Sequence, residues 1–372
     1  MSLLDRYIAR QYLINIVLLM LILFCFVVAI DVSLNIDRFV RIAGELARSE
    51  GNEDSTLRRG IITIFLIADL WGPRLLQLFN YMLGLVLIGA MGFTCTQMVR
   101  HREFVAMLAS GQGLHRVARP ILITAIALSA LQALNQEILL PRVAPLLTRD
   151  HGDAGQRSLG ASAVPLTADG LGRLFYARSF DADAGTVEGL YIWERDAVGL
   201  QTRRIYAPRA QWNNGGWDLT DAVAKSTMGH DPQPESILRI ETDLDPNALK
   251  MRRFAGYAQN LSWPQIGQML ARPELLDEIN RDGLLRIQYG RISLILTNLL
   301  ALAITLPFFL QRMPIGMLNQ SLKCAPVAIA AMIGGLLGAS APIPGVPAQL
   351  GVFVPVMILI PVAIAMATSV KS

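Results

Sequence analysis

Six long apolar stretches constrain the fold of this chain more than any other feature of its sequence. Each stretch has 17–25 residues, and its ionisable side chains are confined to its ends. At about 1.5 Å of rise per residue, a helix of this length crosses the ~30 Å hydrocarbon core of a bilayer. Only a helix satisfies its own backbone polar groups there, so the sequence predicts six transmembrane helices. The stretches are residues 12–30, 75–99, 121–140, 292–310, 325–341 and 352–370.

The composition supports a membrane protein. Hydrophobic residues make up 53% of the chain and charged residues 17%, whereas soluble domains carry about 25% charged residues. The net charge of +4 is small for 372 residues, and the basic residues form no long run, which argues against nucleic acid as a partner. The cysteines Cys25, Cys95 and Cys324 lie in or beside apolar stretches without CxxC spacing, so neither a disulfide framework nor a metal site is expected.

The charged residues of the loops predict the topology. The first stretch is longer than the ~7–15-residue core of a signal peptide, and no small-residue cleavage site follows it, so we expect it to be retained. Six spans place both termini on one side, and the basic residues of the short loops place that side in the cytoplasm. The first outer loop opposes this rule because it carries six arginines: Arg38, Arg41, Arg48, Arg58, Arg59 and Arg74.

Part of that first outer loop has helical character. Residues 57–70 are largely apolar and end at Trp71-Gly72-Pro73. A proline ends one helix and favours the start of the next. We therefore expect an interfacial helix that stops before the second span.

The region between spans three and four differs from the rest of the chain. Short aromatic and β-branched segments alternate there with Gly, Asn and Asp turns, which is typical of an antiparallel sandwich or roll. Ser262-Trp263-Pro264 then reads as a helix N-cap followed by an early proline. The sequence predicts three parts: residues 1–140 with spans one to three, 141–260 with the β domain, and 261–372 with a connector helix and spans four to six. The predicted strands are residues 174–180, 189–194, 202–208, 210–212 and 217–220.

No enzymatic motif occurs in the sequence. A GxxxxGK[ST] loop, an HExxH motif and a GxSxG motif are all missing, so we expect no catalytic residue, no cofactor and no ATP bound by this chain. If the chain drives uphill transport, the energy comes from a partner or an ion gradient. The uncharged span cores disfavour a secondary transporter, because ion coupling needs ionisable residues within the membrane.

The loop at residues 100–119, between spans two and three, carries an unexpected apolar pattern. It reads as a short amphipathic helix, near 101–113, that is closed by Gly111 and Gly113. A solvated turn needs none of the apolar residues Phe104, Val105, Met107 and Leu108. Apolar residues at helical spacing suit docking into a groove on a cytosolic partner, although the solvated turn stays an alternative.

Four parts of the sequence resemble the LptF/LptG (YjgP/YjgQ) lipopolysaccharide export permeases. The decapeptide Arg-Glu-Phe-Val-Ala-Met-Leu-Ala-Ser-Gly at 102–111 resembles the coupling helix of that family. Leu-Asp-Arg-Tyr-Ile at 4–8 resembles its opening. Residues 174–178, 190–194 and 207–217 resemble its periplasmic β-jellyroll, and Leu-Ser-Trp-Pro at 261–264 resembles its return to the membrane. The resemblance covers essentially the whole chain in order, and is slightly closer to LptG.

The resemblance implies a fold and a set of partners. The fold is a six-helix membrane bundle with a periplasmic β-jellyroll inserted between helices 3 and 4, in the bacterial inner membrane. The implied role is a permease subunit of an ATP-driven, ABC-type exporter that extracts lipopolysaccharide and passes it to a periplasmic jellyroll bridge. The implied partners are an LptB-type cytosolic ATPase dimer, a second LptF/LptG-type permease, LptC-type and LptA-type periplasmic jellyroll proteins, and lipopolysaccharide itself.

The resemblance also implies roles for particular residues. Glu103 is expected to make a polar contact to the ATPase. Arg38 and Arg41 are expected to contact the phosphorylated headgroup, because arginine forms bidentate hydrogen bonds with phosphate; snorkelling arginines at the interface are the alternative. The remaining expected coupling-helix residues are Phe104, Met107, Leu108 and Gly111.

A second function class stays open at this point. The chain could be a membrane scaffold or assembly factor whose β domain binds a periplasmic protein. Recovery of an ATPase with the chain would distinguish the permease from the scaffold.

Overall fold

The computed structural model divides the chain into two compact units. A helical unit comprises residues 1–155 and 259–372, and a sheet unit comprises residues 156–258. The structure describes residues 3–49, 56–113, 115–148, 162–181, 184–195, 201–213, 215–226, 235–246, 249, 258–271, 278–310 and 317–369.

The helical unit confirms the predicted set of six membrane-spanning helices. Six segments of the described chain are long and apolar enough to cross a membrane. A π-turn, Asn135–Leu139, interrupts the third of them between α4 and α5. The helices are α1 (Leu3–Ser49), α2 (Thr56–Arg100), α3 (Glu103–Ala109), α4 (His115–Leu134), α5 (Leu140–Val143), α6 (Trp263–Leu270), α7 (Glu278–Phe309), α8 (Met317–Ser340), α9 (Ala348–Gly351) and α10 (Val354–Ser369).

The first two helices correct the prediction for the first outer loop. Helix α2 runs for 45 residues through Trp71-Gly72-Pro73 without ending, so the separate interfacial helix at 57–70 is wrong. A proline inside a helix removes one backbone hydrogen bond. Leu70 and Trp71 are buried at this place, and side-chain packing overrides the local tendency of proline to end a helix.

Small residues let helices of the bundle approach closely. A Cβ atom added at Gly335 of α8 would collide with the Thr297 side chain of α7, and one added at Gly338 would collide with Pro355 of α10. Inside lipid, no hydrophobic driving force brings helices together, and they associate largely through van der Waals packing. Small residues at such crossings permit this close packing. These contacts join α7, α8 and α10.

In the sheet unit, the described strands form one eight-stranded antiparallel sheet. Six of them follow the order β1-β2-β3-β4-β5-β8. The other two lie off this path: β6 pairs with β4, and β7 pairs with β6. Two predicted strands, 202–208 and 210–212, are one strand, β4. Its first half pairs with β6 up to Tyr206, and its second half pairs with β5 from Arg209. Pro208 lies between the two partners. The strands are β1 (Ser162–Ala168), β2 (Leu174–Asp181), β3 (Thr186–Arg195), β4 (Gln201–Asn213), β5 (Gly216–Thr220), β6 (Val223–Ser226), β7 (Glu235–Ser236) and β8 (Arg239–Glu241).

Three neighbouring strands of the sheet share one irregularity in their burial pattern. Successive buried side chains are normally two residues apart in a strand, but here they are three apart in β2, β3 and β4. Gly189 of β3 lies on this line with φ +63°, which favours glycine. The pairing of the three strands continues in register across this line, so all three strands change their buried face at the same place. The buried pairs are Ala177 and Phe180, Val187 and Leu190, and Ala207 and Ala210.

Candidate functional site

The short helix α3 is closed in the way that the sequence predicts. Its last turn forms a Schellman motif, in which Gln112 N donates to Met107 O and Gly111 N donates to Leu108 O, both at 3.0 Å. Gly111 has φ +76°, a conformation that costs a residue with a side chain about 1–2 kcal/mol. The Ser110 hydroxyl also donates to Met107 O. The chain between α2 and α4 is therefore a defined helix rather than an open turn.

The apolar face of α3 packs against the chain itself. Phe104 is 4% exposed and Met107 is 7% exposed, and both lie in the main core with Ile8 of α1 and Val117 of α4. Leu108 is half-buried against the same core. The exposed surface of α3 is formed instead by Val105, which is 58% exposed, with Ala106, Ala109 and Ser110. Any partner of α3 meets this second face.

Two polar contacts tie α3 and the start of α4 to the first turns of α1. The Tyr7 hydroxyl donates to Glu103 Oε1 at 2.9 Å. Arg116 Nε lies 3.8 Å from Asp5 Oδ1. Glu103, expected from the sequence to contact an ATPase, thus already has one partner in α1. Residues 4–8 carry a family resemblance in the sequence, but no sequence pattern predicts a role for Tyr7.

Arg38 and Arg41 lie on the exposed side of α1, one turn apart. The opposite side of α1 carries Phe39 and Ala43, which are fully buried against Leu66 and Leu70 of α2 in a small separate core. Nearby, Trp71 Nε1 donates to Asp31 Oδ2 at 3.0 Å. Helices α1 and α2 therefore pack together here as a hairpin, and the two arginines lie on its exposed side.

The two groups of predicted site residues lie far apart. Tyr7 and Arg38 belong to one continuous helix, and their 31-residue separation corresponds to about 45 Å at 1.5 Å per residue. The structure therefore does not bring the coupling-helix residues and the arginines together. They form two sites joined by α1.

A polar cluster that the sequence analysis missed surrounds residues 259–263. We call it the return joint: Gln259, Asn260 and Trp263 together with the side chains of α2, the π-turn and α7 that bind them. Those side chains are Gln77, Tyr81, Gln136, Glu137, Gln288 and Arg291. The available signal was Asn135-Gln136-Glu137, three consecutive polar residues at the end of the third apolar stretch.

Comparisons with known proteins agree with this architecture. Residues 54–369 match the family described as "Lipopolysaccharide export system permease LptF/LptG". That range includes α2 to α10 and the whole sheet unit. No curated protein matches the chain. Because the family match covers most of the sequence and six helices can span a membrane, the chain belongs to the LptF/LptG family, the multi-pass inner-membrane permeases of lipopolysaccharide export.

Proposed function

We propose that this chain is a permease subunit of an ATP-driven, ABC-type exporter that extracts lipopolysaccharide from the inner membrane. ATP hydrolysis takes place in a separate LptB-type ATPase dimer, and a second LptF/LptG-type permease completes the transmembrane pathway. The observation that carries this proposal is the two-sided packing of α3 within a chain that matches the permease family over residues 54–369.

The packing of α3 suits the transfer of force from a partner. Phe104 and Met107 anchor one side of α3 in the core of the bundle, whereas Val105 faces outward. A partner that receives the outward side in a groove moves the bundle with it, because the interior is close-packed and transmits displacement. Glu103 keeps its second carboxylate oxygen for a basic residue of that partner.

Arg38 and Arg41 are proposed to bind the phosphorylated headgroup of the cargo. They are one turn apart on a rigid hairpin, a spacing that lets two guanidinium groups reach one anionic group. The same chemistry explains why the first outer loop carries arginines against the charge rule. Both termini are then cytoplasmic and the sheet unit is periplasmic.

The sheet unit is proposed to be the jellyroll that passes cargo to LptC-type and LptA-type proteins. Its antiparallel sheet, with a change of buried face shared by β2, β3 and β4, supports this proposal. Among the strands that the structure describes, β1 ends the strand order and pairs with β2. Strand addition by a second jellyroll is proposed at an end of the sheet.

Co-purification with the ATPase tests the proposal. The chain is expressed with a second permease and an LptB-type ATPase, and the ATPase recovered per chain is measured. Val105→Glu is expected to reduce recovery by about tenfold or more, because burying an unpaired charge at an interface costs more than about 1.4 kcal/mol. Leu238→Glu is the matched control, since Leu238 is 79% exposed in the sheet unit.

Two outcomes would contradict the permease proposal. One is that the wild-type chain recovers no ATPase, and that Glu103→Ala leaves envelope assembly unchanged. The other is that a photo-crosslinker at Arg38 or Arg41 captures a protein but never a glycolipid. Either result favours the scaffold instead.

A further inference from the structure

The return joint fixes the chain where it leaves the sheet unit and enters the helical unit. Three helical segments bind residues 259–260 through four hydrogen bonds. The carbonyl of Gln259 accepts from Gln136 Nε2 at 2.8 Å and from Arg291 Nη2 at 3.2 Å. The Tyr81 hydroxyl donates to Gln259 Oε1 at 3.0 Å, and Gln77 Nε2 donates to Asn260 Oδ1 at 3.2 Å. One short segment is thus bound by α2, the π-turn and α7 together.

Glu137 is the centre of the joint. Its Oε2 accepts from the backbone N–H of Trp263 at 2.7 Å, and its Oε1 accepts from Arg291 Nη1 at 3.2 Å. Trp263 is the first residue of α6; the capping box satisfies the backbone N–H groups of Ser262 and Gln265, and Pro264 has no N–H. The capping box of α6 thus leaves the N–H of Trp263 without a partner within the helix, and Glu137 accepts from it. The carboxylate of Glu137 also places a negative charge at the positive end of that helix.

The π-turn has a local cause in the sequence. Pro141 cannot donate a backbone hydrogen bond, and its ring would clash with the carbonyl of Glu137 in a regular helix. The helix widens instead, and Leu140 N donates to Asn135 O, five residues earlier. Such turns are rare and concentrate at functional sites. The wider turn lets consecutive residues serve different partners: Gln136 accepts from Asn80 and binds Gln259, while Glu137 binds Trp263 and Arg291.

Several polar side chains of the joint are buried. Asn260 and Gln288 are buried, and Arg291 keeps only 13% of its side chain exposed. Polar contacts of this kind are directional, so they favour one geometry of the groups that they join. A displacement of the π-turn or of α7 is therefore expected to reach residues 259–263.

We propose that Glu137 and Arg291 are positioning residues for the release of cargo. They keep residues 259–263 attached to α2, the π-turn and α7 throughout the transport cycle, so that movement of these helices reaches the chain that continues from the sheet unit. The inference rests on the proposed export function and assigns the pair to the delivery step, after ATP-driven extraction.

The test measures three quantities on the complete complex of the chain with its ATPase and second permease in proteoliposomes. These are ATP hydrolysis, lipopolysaccharide bound to the complex, and lipopolysaccharide transferred to an LptA-type acceptor. Glu137→Gln and Arg291→Gln are each expected to lower transfer by about fivefold, the equivalent of roughly one hydrogen bond. ATP hydrolysis and bound lipopolysaccharide are expected to stay within about twofold of wild type, because the two residues are proposed to act after extraction.

Arg286→Gln is the matched control. Arg286 is a buried arginine on the same helix α7, and its Nη1 donates to Ala341 O at 2.7 Å, away from the joint. The same substitution there is expected to leave the ratio of transfer to ATP hydrolysis unchanged. A merely structural joint would lower all three quantities together with the thermal midpoint, and that result overturns the inference.

Amide hydrogen exchange of the wild-type complex keeps the inference testable if a variant fails to assemble. The Trp263 amide is expected to stay protected both with and without ATP, because the joint remains closed. Loss of protection during turnover overturns the inference. A wild-type complex that recovers no ATPase and transfers no lipopolysaccharide contradicts the export function instead, whereas variants that transfer at the wild-type rate contradict only the joint.

Discussion

The two ends of the helical unit hold neighbouring segments in opposite ways. At one end, α3 is held by the apolar side chains of Phe104 and Met107 and by one exposed hydrogen bond from Tyr7. At the other end, residues 259–263 are held by a network of amide, carboxylate and guanidinium groups. Apolar packing is non-directional, whereas a polar network depends on the directions of its hydrogen bonds. The first suits a contact that receives a push, and the second suits a rigid attachment.

The largest expected effect is at α3. Phe104→Ala should lower the free energy of unfolding of the detergent-solubilised chain by about 4 kcal/mol, because a buried phenyl ring leaves a cavity that the core fills only partly. Val105→Ala, on the exposed face of the same helix, should change it by less than about 0.5 kcal/mol. Equal effects at the two positions would show that α3 is not anchored through Phe104.

The next effect is at the return joint. Glu137→Ala should lower the free energy of unfolding by about 2 kcal/mol, since it removes charge-assisted hydrogen bonds to Trp263 N and Arg291. Glu188→Ala removes an ion pair with Arg209 in which both side chains are largely exposed, and should cost less than about 0.5 kcal/mol. Denaturant unfolding measures both variants. Equal losses for Glu137→Ala and Glu188→Ala would contradict the tight attachment at the return joint.

The closure of α3 should be sensitive at one backbone position. Gly111→Ala should cost about 1 kcal/mol, because alanine is strained at φ +76°. Gly44→Ala, in the interior of α1 with open space at its Cβ, should be neutral or stabilising. Thermal unfolding of both variants measures the difference, and a stabilising Gly111→Ala would contradict the Schellman geometry.

Tyr7→Phe should have the smallest effect on stability. It removes one exposed hydrogen bond to Glu103, which contributes about 0.5 kcal/mol. A loss as large as that of Glu137→Ala would mean that the polar contact, rather than the apolar anchor, holds α3. The segment at α3 would then depend on polar contacts, as the segment at residues 259–263 does.

The sequence predicts features that depend on local chemistry. Span length and apolar content predict the six membrane helices, and the Ser262 cap and the helix end at Gly111 follow from side-chain preferences at helix termini. The capping box at Ser262 is present in the structure. The resemblance at residues 102–111 predicts the family, and the family match confirms it.

The features that the sequence does not predict depend on distant contacts. Glu137 and Trp263 are 126 positions apart, and no local pattern joins them. The amphipathic pattern of α3 indicates an apolar face, but it does not distinguish the chain's own core from a groove on a partner. The continuous helix through Pro73 depends on the packing of Leu70 and Trp71. The roles of Glu103, Arg38 and Arg41 stay predictions.

Helix α1 has the length of a lever arm. It is 47 residues long, and its first turns contact α3 while its far part carries Arg38. At about 45 Å from Tyr7, a tilt of about 5° about that end moves Arg38 by about 4 Å. That distance is greater than the length of a hydrogen bond. A small rotation started at one end of this helix would therefore be enough to break or remake the contacts that we propose between Arg38 or Arg41 and an anionic headgroup.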